Sequence, residues 1–574
     1  MGSSPPALPE LGSDADEDEQ LRYAIALSLQ DTTQAKGHGS DENPALSTDE
    51  KSEGGGTIFG SLALNRKQME EERLRRLSKK RRAPSDNEDD DDVIEIPPPK
   101  KLAVNAQLQT TGSVPFPRGV VKRTWARGYP RTPDDIKIEE IWNRHELMLA
   151  VLSSFQWDEE WIMSKLDMRK TKLLLLAYAG DEAQKETMRT NAPPGIKFCF
   201  PRMNGPGSMH SKLQLLKYPN YLRVVVPTGN LVPYDWGESG VMENMVFIID
   251  LPRLPNPKEH RSTRFSTELG NFLAATGVEP GMVHSLNNYD FSRTEQLGFV
   301  YTIPGGHSDK SMTQNGYCGL GASVAALGLA TDDPVEVDLT CASLGSLNHD
   351  FIHAIYYACQ GDDGMKEFKS RASRNKGSGK ATHPSAQIQD HFRIYFPTER
   401  TVRQSKGGTP AAGTICFQEK WWRSPTFPRQ LVRDCINTRT GLLMHSKLIF
   451  VRSARRASTE GPKGLGWAYV GSANLSESAW GRIVRDRASG KAKLTCRNWE
   501  CGVVVPVAGP ETSRAKTADG DFNSNKTGNN GQSRGGGECG RVEMSVFSGA
   551  VPVPMQVPAP RYEAGDEPWL FLNA

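Results

Sequence analysis

Disulfide scaffolding is the first thing this chain cannot build. It has nine cysteines in 574 residues, an odd number at irregular spacings. The closest pair, Cys496 and Cys501, has no second pair to complete a zinc site. Buried, reduced thiols of an intracellular protein are the expectation. Long apolar runs are missing as well. The longest, around residues 173–177 and 245–251, fall far short of the ~20 residues that cross a bilayer. No apolar segment opens the chain, so no secretory signal is expected. Pro6 stands where a myristoylation signal starting at Gly2 wants Ser or Thr. An excess of one charge is also lacking. Seventy Lys and Arg against 68 Asp and Glu leave +2, so a polyanion must be met by local basic patches. No cluster of carboxylates offers to hold a catalytic metal, and neither a metal nor a cofactor is expected. A soluble, intracellular protein is the reading.

What is present is a pentapeptide that occurs twice. MHSKL stands at residues 209–213 and again, unchanged, at 444–448. Each copy is followed by apolar residues, LQLL and LIFV, which predicts a strand through both. On a strand, His210 and Lys212 would point to one face, as would His445 and Lys447. The echo continues downstream. LRVVVPTGNL puts Asn230 directly after a β-rich run, and WAYVGSANLSESAWG puts Asn474 in the same place. A lone His-x-Lys has no value as a motif, but the doubled order of His-x-Lys, strand, small residues and Asn-Leu points to two similar units with facing active-site edges.

Residues 1–115 are rich in Ser, Gly, Pro and charge, and cannot bury enough apolar surface to offset chain entropy. Three pieces of this arm stand out. In DEDEQLRYAIALSLQD, an acidic run precedes Leu21, Ala24, Ile25 and Ser28, which share one face of a helix. The pattern resembles a ubiquitin-interacting motif; an amphipathic helix docking on this protein's own core is the alternative. Lys79, Lys80, Arg81 and Arg82 suit a nuclear-import receptor or phosphates, or are a solvated helix end. Val93, Ile94 and Ile96, between acids and prolines, resemble a SUMO-interacting segment that adds as an edge strand to a partner sheet; the alternative is a β-prone stretch in an acidic linker.

Strands alternating with helices from Phe116 onward argue an α/β body. A first unit is expected over residues 116–305 and a second over 306–574, with a disordered insert at 508–540. In the second unit, Ser343 and Ser346 lie in a small-residue turn before a helical pattern. That position suits a phosphate, or an ordinary N-cap. Trp421 and Trp422, beside Lys420 and Arg423, could stack on bases or belong to the core.

Two histidines, two lysines and two asparagines converging without acid clusters suit a phosphodiester. The lysines and amides would hold non-bridging oxygens and stabilise a five-coordinate phosphorus, each such donor typically contributing ~3 kcal/mol. One neutral histidine can attack phosphorus while the other, protonated, serves the leaving group. These residues resemble the phospholipase D superfamily, and within it the tyrosyl-DNA phosphodiesterase family. The aspartate usual a few residues after the lysine is absent, with Lys217 and Arg452 in its neighbourhood. NYDFS, PGGH, CASLGSLN, SANLSESAWG, WECGVVV and DEPW carry the resemblance further, from about Phe116 to the end apart from the glycine-rich insert.

The resemblance implies two phospholipase D-like units, each a mixed β-sheet flanked by helices, with the active site between them. It implies His210 as nucleophile, His445 as general acid and base, and Lys212, Lys447, Asn230 and Asn474 as phosphate ligands. Glu500 would support a catalytic histidine, and Ser343 and Ser346 would touch the DNA strand. The residue that follows Asn230 as a further support is sought near Glu243. The implied substrate is a single-stranded or nicked DNA 3′ end joined to a tyrosyl peptide, and other blocked 3′ ends, handled in the nucleus by a monomer. Alternatives are another nuclease or a lipid phosphodiesterase of the superfamily, and a scaffold that reads ubiquitin and SUMO.

Overall fold

The computed structural model describes residues 114–205, 207–374, 388–454, 466–507 and 542–571. Leu21, Ala24 and Ser28, the basic cluster at 79–82, and Val93, Ile94 and Ile96 lie outside them, as does the insert at 508–540.

Runs of Val, Ile and Leu build the first sheet. In chain order come β1 (Val120–Thr124), β2 (Asp135–Ile136), β3 (Leu149–Ser153), β4 (Lys172–Leu176), β5 (Ile196–Cys199), β6 (Gln214–Lys217) and β7 (Tyr221–Pro227). After β8 (Met242–Glu243), which pairs elsewhere, β9 (Met245–Pro252) completes eight strands in the order β2-β1-β9-β7-β6-β3-β4-β5. Both faces are covered, which is why these strands read as continuous apolar runs rather than alternating ones. In β4, Leu173 and Leu175 pack toward the helices Ile138–Trp142 and Glu159–Lys165, with Trp142 and Trp161. Leu174 and Leu176, one residue out of phase, join the opposite core.

The second sheet opens with β10 (Gly298–Thr302). After β11 (Gly305–His307) it takes β12 (Val335–Thr340), β13 (Phe392–Phe396) and β14 (Val432–Asp434). β15 (Leu443–Met444) leads to β16 (Leu448–Ser453) and β17 (Gly466–Gly471). β18 (Arg482–Arg485) and β19 (Ala492–Cys496) join β11 in a three-stranded satellite, and β20 (Glu500–Val507) ends the series. The order is β10-β20-β17-β16-β12-β13-β14. Helices Gly316–Ala326 and His349–Cys359 cover its outer face. Its inner face meets the first sheet in a shared core filled by Phe265, Leu269 and Phe272 of the helix Arg264–Thr276. Truncating Phe272, which is fully buried, to Ala would cost about 3–5 kcal/mol.

Strand for strand, the two sheets repeat. β3, β4 and β5 run parallel, and so do β12, β13 and β14. β6 is antiparallel to β3 and β7 as β16 is to β12 and β17; β9 and β20 come next, and β1 and β10, each antiparallel to them, close the two series of seven. β10 precedes the boundary expected at 305, yet it pairs along β20 in the second sheet. A division by sheet membership therefore falls between β9 and β10. Among the described residues, no helix is long and apolar enough to cross a membrane.

Candidate active site

Neither MHSKL copy forms a regular strand through its histidine and lysine, contrary to the expectation above. The motif is where the chain changes partner. Met209 makes a parallel bridge to Trp499 of the other half, and the His210 amide donates to the Trp499 carbonyl at 3.1 Å. Only from Gln214 does the chain enter its own sheet as β6. The second copy does the same in mirror order. β15 pairs with β8 of the first half, the His445 amide donates to the Glu243 carbonyl at 3.2 Å, and β16 begins at Leu448. Each histidine is thus held by the backbone of the opposite half.

The side chains cross over in the same sense. His210 Nδ1 lies 2.9 Å from Glu500 Oε2, at the start of β20. That carboxylate also accepts from the Ser472 hydroxyl and, at 3.2 Å, from Asn498. His445 Nδ1 lies 3.1 Å from both oxygens of Asp235. Asp235 in turn accepts from the Asn230 amide at 2.6 Å and from Asn244 Nδ2 at 3.1 Å. All four groups are buried. Burial opposes the charge on both carboxylates, but the facing histidines and lysines outweigh it and hold both below their usual range. With Nδ1 donating to a carboxylate, each imidazole presents Nε2 to the site as the working nitrogen.

Lys212 and Lys447 are buried to within 1% and fold back onto the carbonyls of His210 and His445. Lys447 also reaches the Thr228 carbonyl of the first half at 3.2 Å. Burial pulls Lys212 down to about 8, against the pull of Glu500 and Asp235. Burial and the Lys212 ammonium push Lys447 well below the ordinary lysine range. Both imidazoles are lowered to about 4, first by burial and then by both ammoniums, despite their carboxylates. Each lysine therefore acts on both histidines, and the two halves share one electrostatic site. Such a site is short of negative charge, and an anion between the ammoniums would relieve every one of these shifts but those of the two carboxylates.

Asn230 and Asn474 occupy matching places after β7 and β17. Asn230 Oδ1 accepts from the Gln156 amide at 3.4 Å, and Asn474 Oδ1 from the Ser343 amide at 3.1 Å. Ser343 is buried in the turn after β12, and Ser346 is exposed beyond it. Neither serine caps the helix; Asn348 does, accepting from the Phe351 amide at 3.0 Å. Trp422 is core, packed among Phe417, Phe427 and Tyr562. Glu243 is not the support sought after Asn230. Its carboxylate is turned away into an ion pair with Arg439, and only its backbone touches His445. Asp235 takes that place, five residues after Asn230, in the connection between β7 and β8. Phe155 was also unforeseen: it lies 5.3 Å, centre to centre, from the His210 ring.

A model of the family described as tyrosyl-DNA phosphodiesterase matches residues 120–563. The chain belongs to that family. As a tyrosyl-DNA phosphodiesterase it is a phosphodiesterase of DNA repair. Tyrosyl-DNA phosphodiesterase 1 of Drosophila melanogaster is 24% identical over 459 residues, spanning 76% of this chain and 70% of that protein. The Arabidopsis thaliana protein of the same name is 22% identical over 465 residues, 74% and 69% of the two chains. The crystal structure of the yeast tyrosyl-DNA phosphodiesterase shares the fold, with a TM-score of 0.53 at 18% identity over 79% of this chain and 99% of that one. Within the arm, residues 16–32 match the ubiquitin interaction motif.

Proposed function

We propose that this phosphodiesterase hydrolyses the bond between a DNA 3′ phosphate and a tyrosine, and other blocked 3′ ends, through a phosphohistidine. The crossed pairs carry the reading: His210 on Glu500 and His445 on Asp235, with two buried ammoniums acting on both. His210 Nε2 attacks phosphorus as the bond to the tyrosine oxygen breaks. His445 Nε2 gives its proton to that departing oxygen. The phosphodiester's own negative charge offsets the two ammoniums and lets His445 take up the proton it needs. Water then attacks phosphorus, His445 Nε2 accepts the water's proton, and the phosphorus–nitrogen bond breaks to free His210. Lys212, Lys447, Asn230 and Asn474 bind the non-bridging oxygens. Ser343 and Ser346 contact the DNA strand, Ser343 through the turn that Asn474 holds.

The test feeds a 3′-phosphotyrosyl oligonucleotide and a phosphatidylcholine vesicle to the full-length protein, with and without EDTA. Release of tyrosine from DNA alone, unchanged by chelation, is the expected result. Lipid cleavage, or loss of activity with EDTA, overturns it. The arm supplies addresses: Leu21, Ala24 and Ser28 contact ubiquitin, supported by the match at 16–32. Val93, Ile94 and Ile96 contact SUMO, and the cluster at 79–82 directs a monomer to the nucleus. Loss of ubiquitin capture on Ala24→Asp, and of SUMO capture on Ile94→Asp, are the readouts.

A further inference from the structure

On the first sheet, the strand ends nearest His210 carry a row of aromatic side chains that the chemistry does not use. β3, β4 and β5 are parallel neighbours in register, with Ser153, Leu176 and Cys199 side by side at their carboxyl ends. His210 precedes β6, whose start lies against the end of β3. From His210 outward, the strands are followed in turn by Phe155, Tyr178 and Phe200. Phe155 packs on the His210 ring. Tyr178 is 43% exposed, and Phe200 is half-buried at the sheet edge, stacked on Phe198 at 5.7 Å. Two cations of the helix Glu182–Thr190 flank Phe200, Arg189 at 5.1 Å and Lys185 at 5.9 Å from its ring centre. Their other partners, Glu186 at 3.6 Å and Glu182 at 2.6 Å, are largely exposed, and such pairs hold a cation by only ~0–1 kcal/mol.

The second half shows what a closed edge looks like. There the carboxyl ends of β13 and β14 are sealed by the final segment of the chain, through bridges from Thr398 to Pro568, Arg433 to Arg561 and Asn437 to Met555. At the first sheet's edge the Cys199 thiol donates to the Thr276 carbonyl at 3.2 Å, while Tyr178, just after β4, remains exposed.

We infer that Tyr178 and Phe200, with Arg189 and Lys185, form a platform on which an unpaired nucleic-acid strand stacks as it leaves the active site. Aromatic rings with flanking cations along a path suit a strand read without sequence, by base stacking and phosphate charge. At ~4.8 Å per strand, the row runs about 15 Å from His210 to the sheet edge. The strand could be the remainder of the one being processed, or an unpaired template reaching past its 3′ end. Ser343 and Ser346 lie on the opposite half. The inference rests on the proposed DNA substrate.

The experiment uses the full-length protein and 3′-phosphotyrosyl strands of about 4 and about 16 nucleotides, plus the short strand annealed to a template with a long overhang past the 3′ end. Fluorescence anisotropy gives Kd and tyrosine release gives kcat and KM. Tyr178→Ala/Phe200→Ala is expected to raise Kd and KM about tenfold for the long strand or for the overhang. It should leave the short strand and kcat unchanged, which also shows that the variant is folded. Phe200→Trp should retain affinity, and Arg189→Glu should lower the salt slope of binding by about 1. The arm that responds names the strand. Equal losses on short and long substrates overturn the inference, as does no loss on either long arm, or a loss that follows the length of a peptide on the tyrosine. If the wild type cleaves none of these strands, the proposed reaction fails instead, while anisotropy on the uncleaved strands still reads the platform.

Discussion

The two halves of this molecule repeat seven strands in one order, yet orient their histidines from different places. Thr228-Gly229-Asn230 and Ser472-Ala473-Asn474 are equivalent. The Thr228 hydroxyl takes the Met245 amide at 3.0 Å and donates to Asn244 at 2.9 Å; the Ser472 hydroxyl takes the Cys501 amide at 3.0 Å and donates to Glu500. Asn244 therefore stands where Glu500 stands. In one half the strand itself supplies the carboxylate. In the other it supplies an amide that fastens Asp235, and the loop delivers the acid. The lesson is that the repeat fixes where the imidazoles sit, while a loop residue is enough to give one of them its own carboxylate.

The strongest test of that division is to remove each imidazole. His210→Ala should lower turnover about 10⁴-fold or more, with no covalent product. His445→Ala should slow the first step, which loses its proton donor, and block the second, stranding a phosphorus-linked adduct visible by intact mass. Normal turnover by the His445 variant would break the assignment of roles. The carboxylates come next. Glu500→Gln and Asp235→Asn keep the shapes but lose the charge that fixes each tautomer, at a cost of about 10²–10⁴-fold. Rapid-quench traces should show adduct formation slowed in the first variant and adduct breakdown slowed in the second. If adduct breakdown is untouched in the second variant, the halves are not divided as argued.

A smaller effect is expected at the join between them. Arg439, in the loop before β15, donates to Glu243, to Asp135 at 3.3 Å and to the Thr124 carbonyl at 3.0 Å, so a residue of the second half is clamped into the first. Burial raises the Glu243 carboxyl, against the pull of Arg439. Arg439→Met should cost about 3 kcal/mol in chemical denaturation by leaving that carboxylate buried and unpaired. Adding Glu243→Gln should recover part of it. Because β8 carries the carbonyl that holds His445, adduct should also persist longer in Arg439→Met; stability lost with adduct lifetime unchanged would confine the clamp to folding.

Much of this was readable from residues. The doubled MHSKL and its trailing asparagines located the site, and the apolar runs located both sheets, because strands buried on two faces leave an unmistakable composition. Pairing partners left no such mark. His210 and Lys212 look like strand residues because the chain is extended there, but their hydrogen bonds go to the other half, which no local pattern encodes. Asp235 was passed over for the same reason: an Asp after a Pro-Tyr turn reads as loop chemistry, and only the fold carries it to His445, 210 positions away. The support sought near Glu243 is not found there, because its carboxylate is paired with the Arg439 guanidinium, a partner that sequence spacing does not reveal.

The smallest expected effect compares the halves most evenly. Both imidazoles are lowered to about 4 in the folded chain, against ~6.5 when unfolded. The unfolded state therefore binds protons first as pH falls. The stabilisation from keeping these rings neutral is complete above pH ~6.5 and is lost on descent toward pH ~4, each ring contributing at most ~1.4 kcal/mol per pH unit. Asp235 and Glu500, held low by their partners, extend the loss below the ordinary carboxylate range. Denaturation across this window should show a slope that His210→Asn and His445→Asn each cut by about half, since burial and the same two lysines act on both. A slope abolished by one substitution and untouched by the other would mean that only one half carries the strain of an anion site, and that the electrostatic equivalence of the two is false even though their strands match.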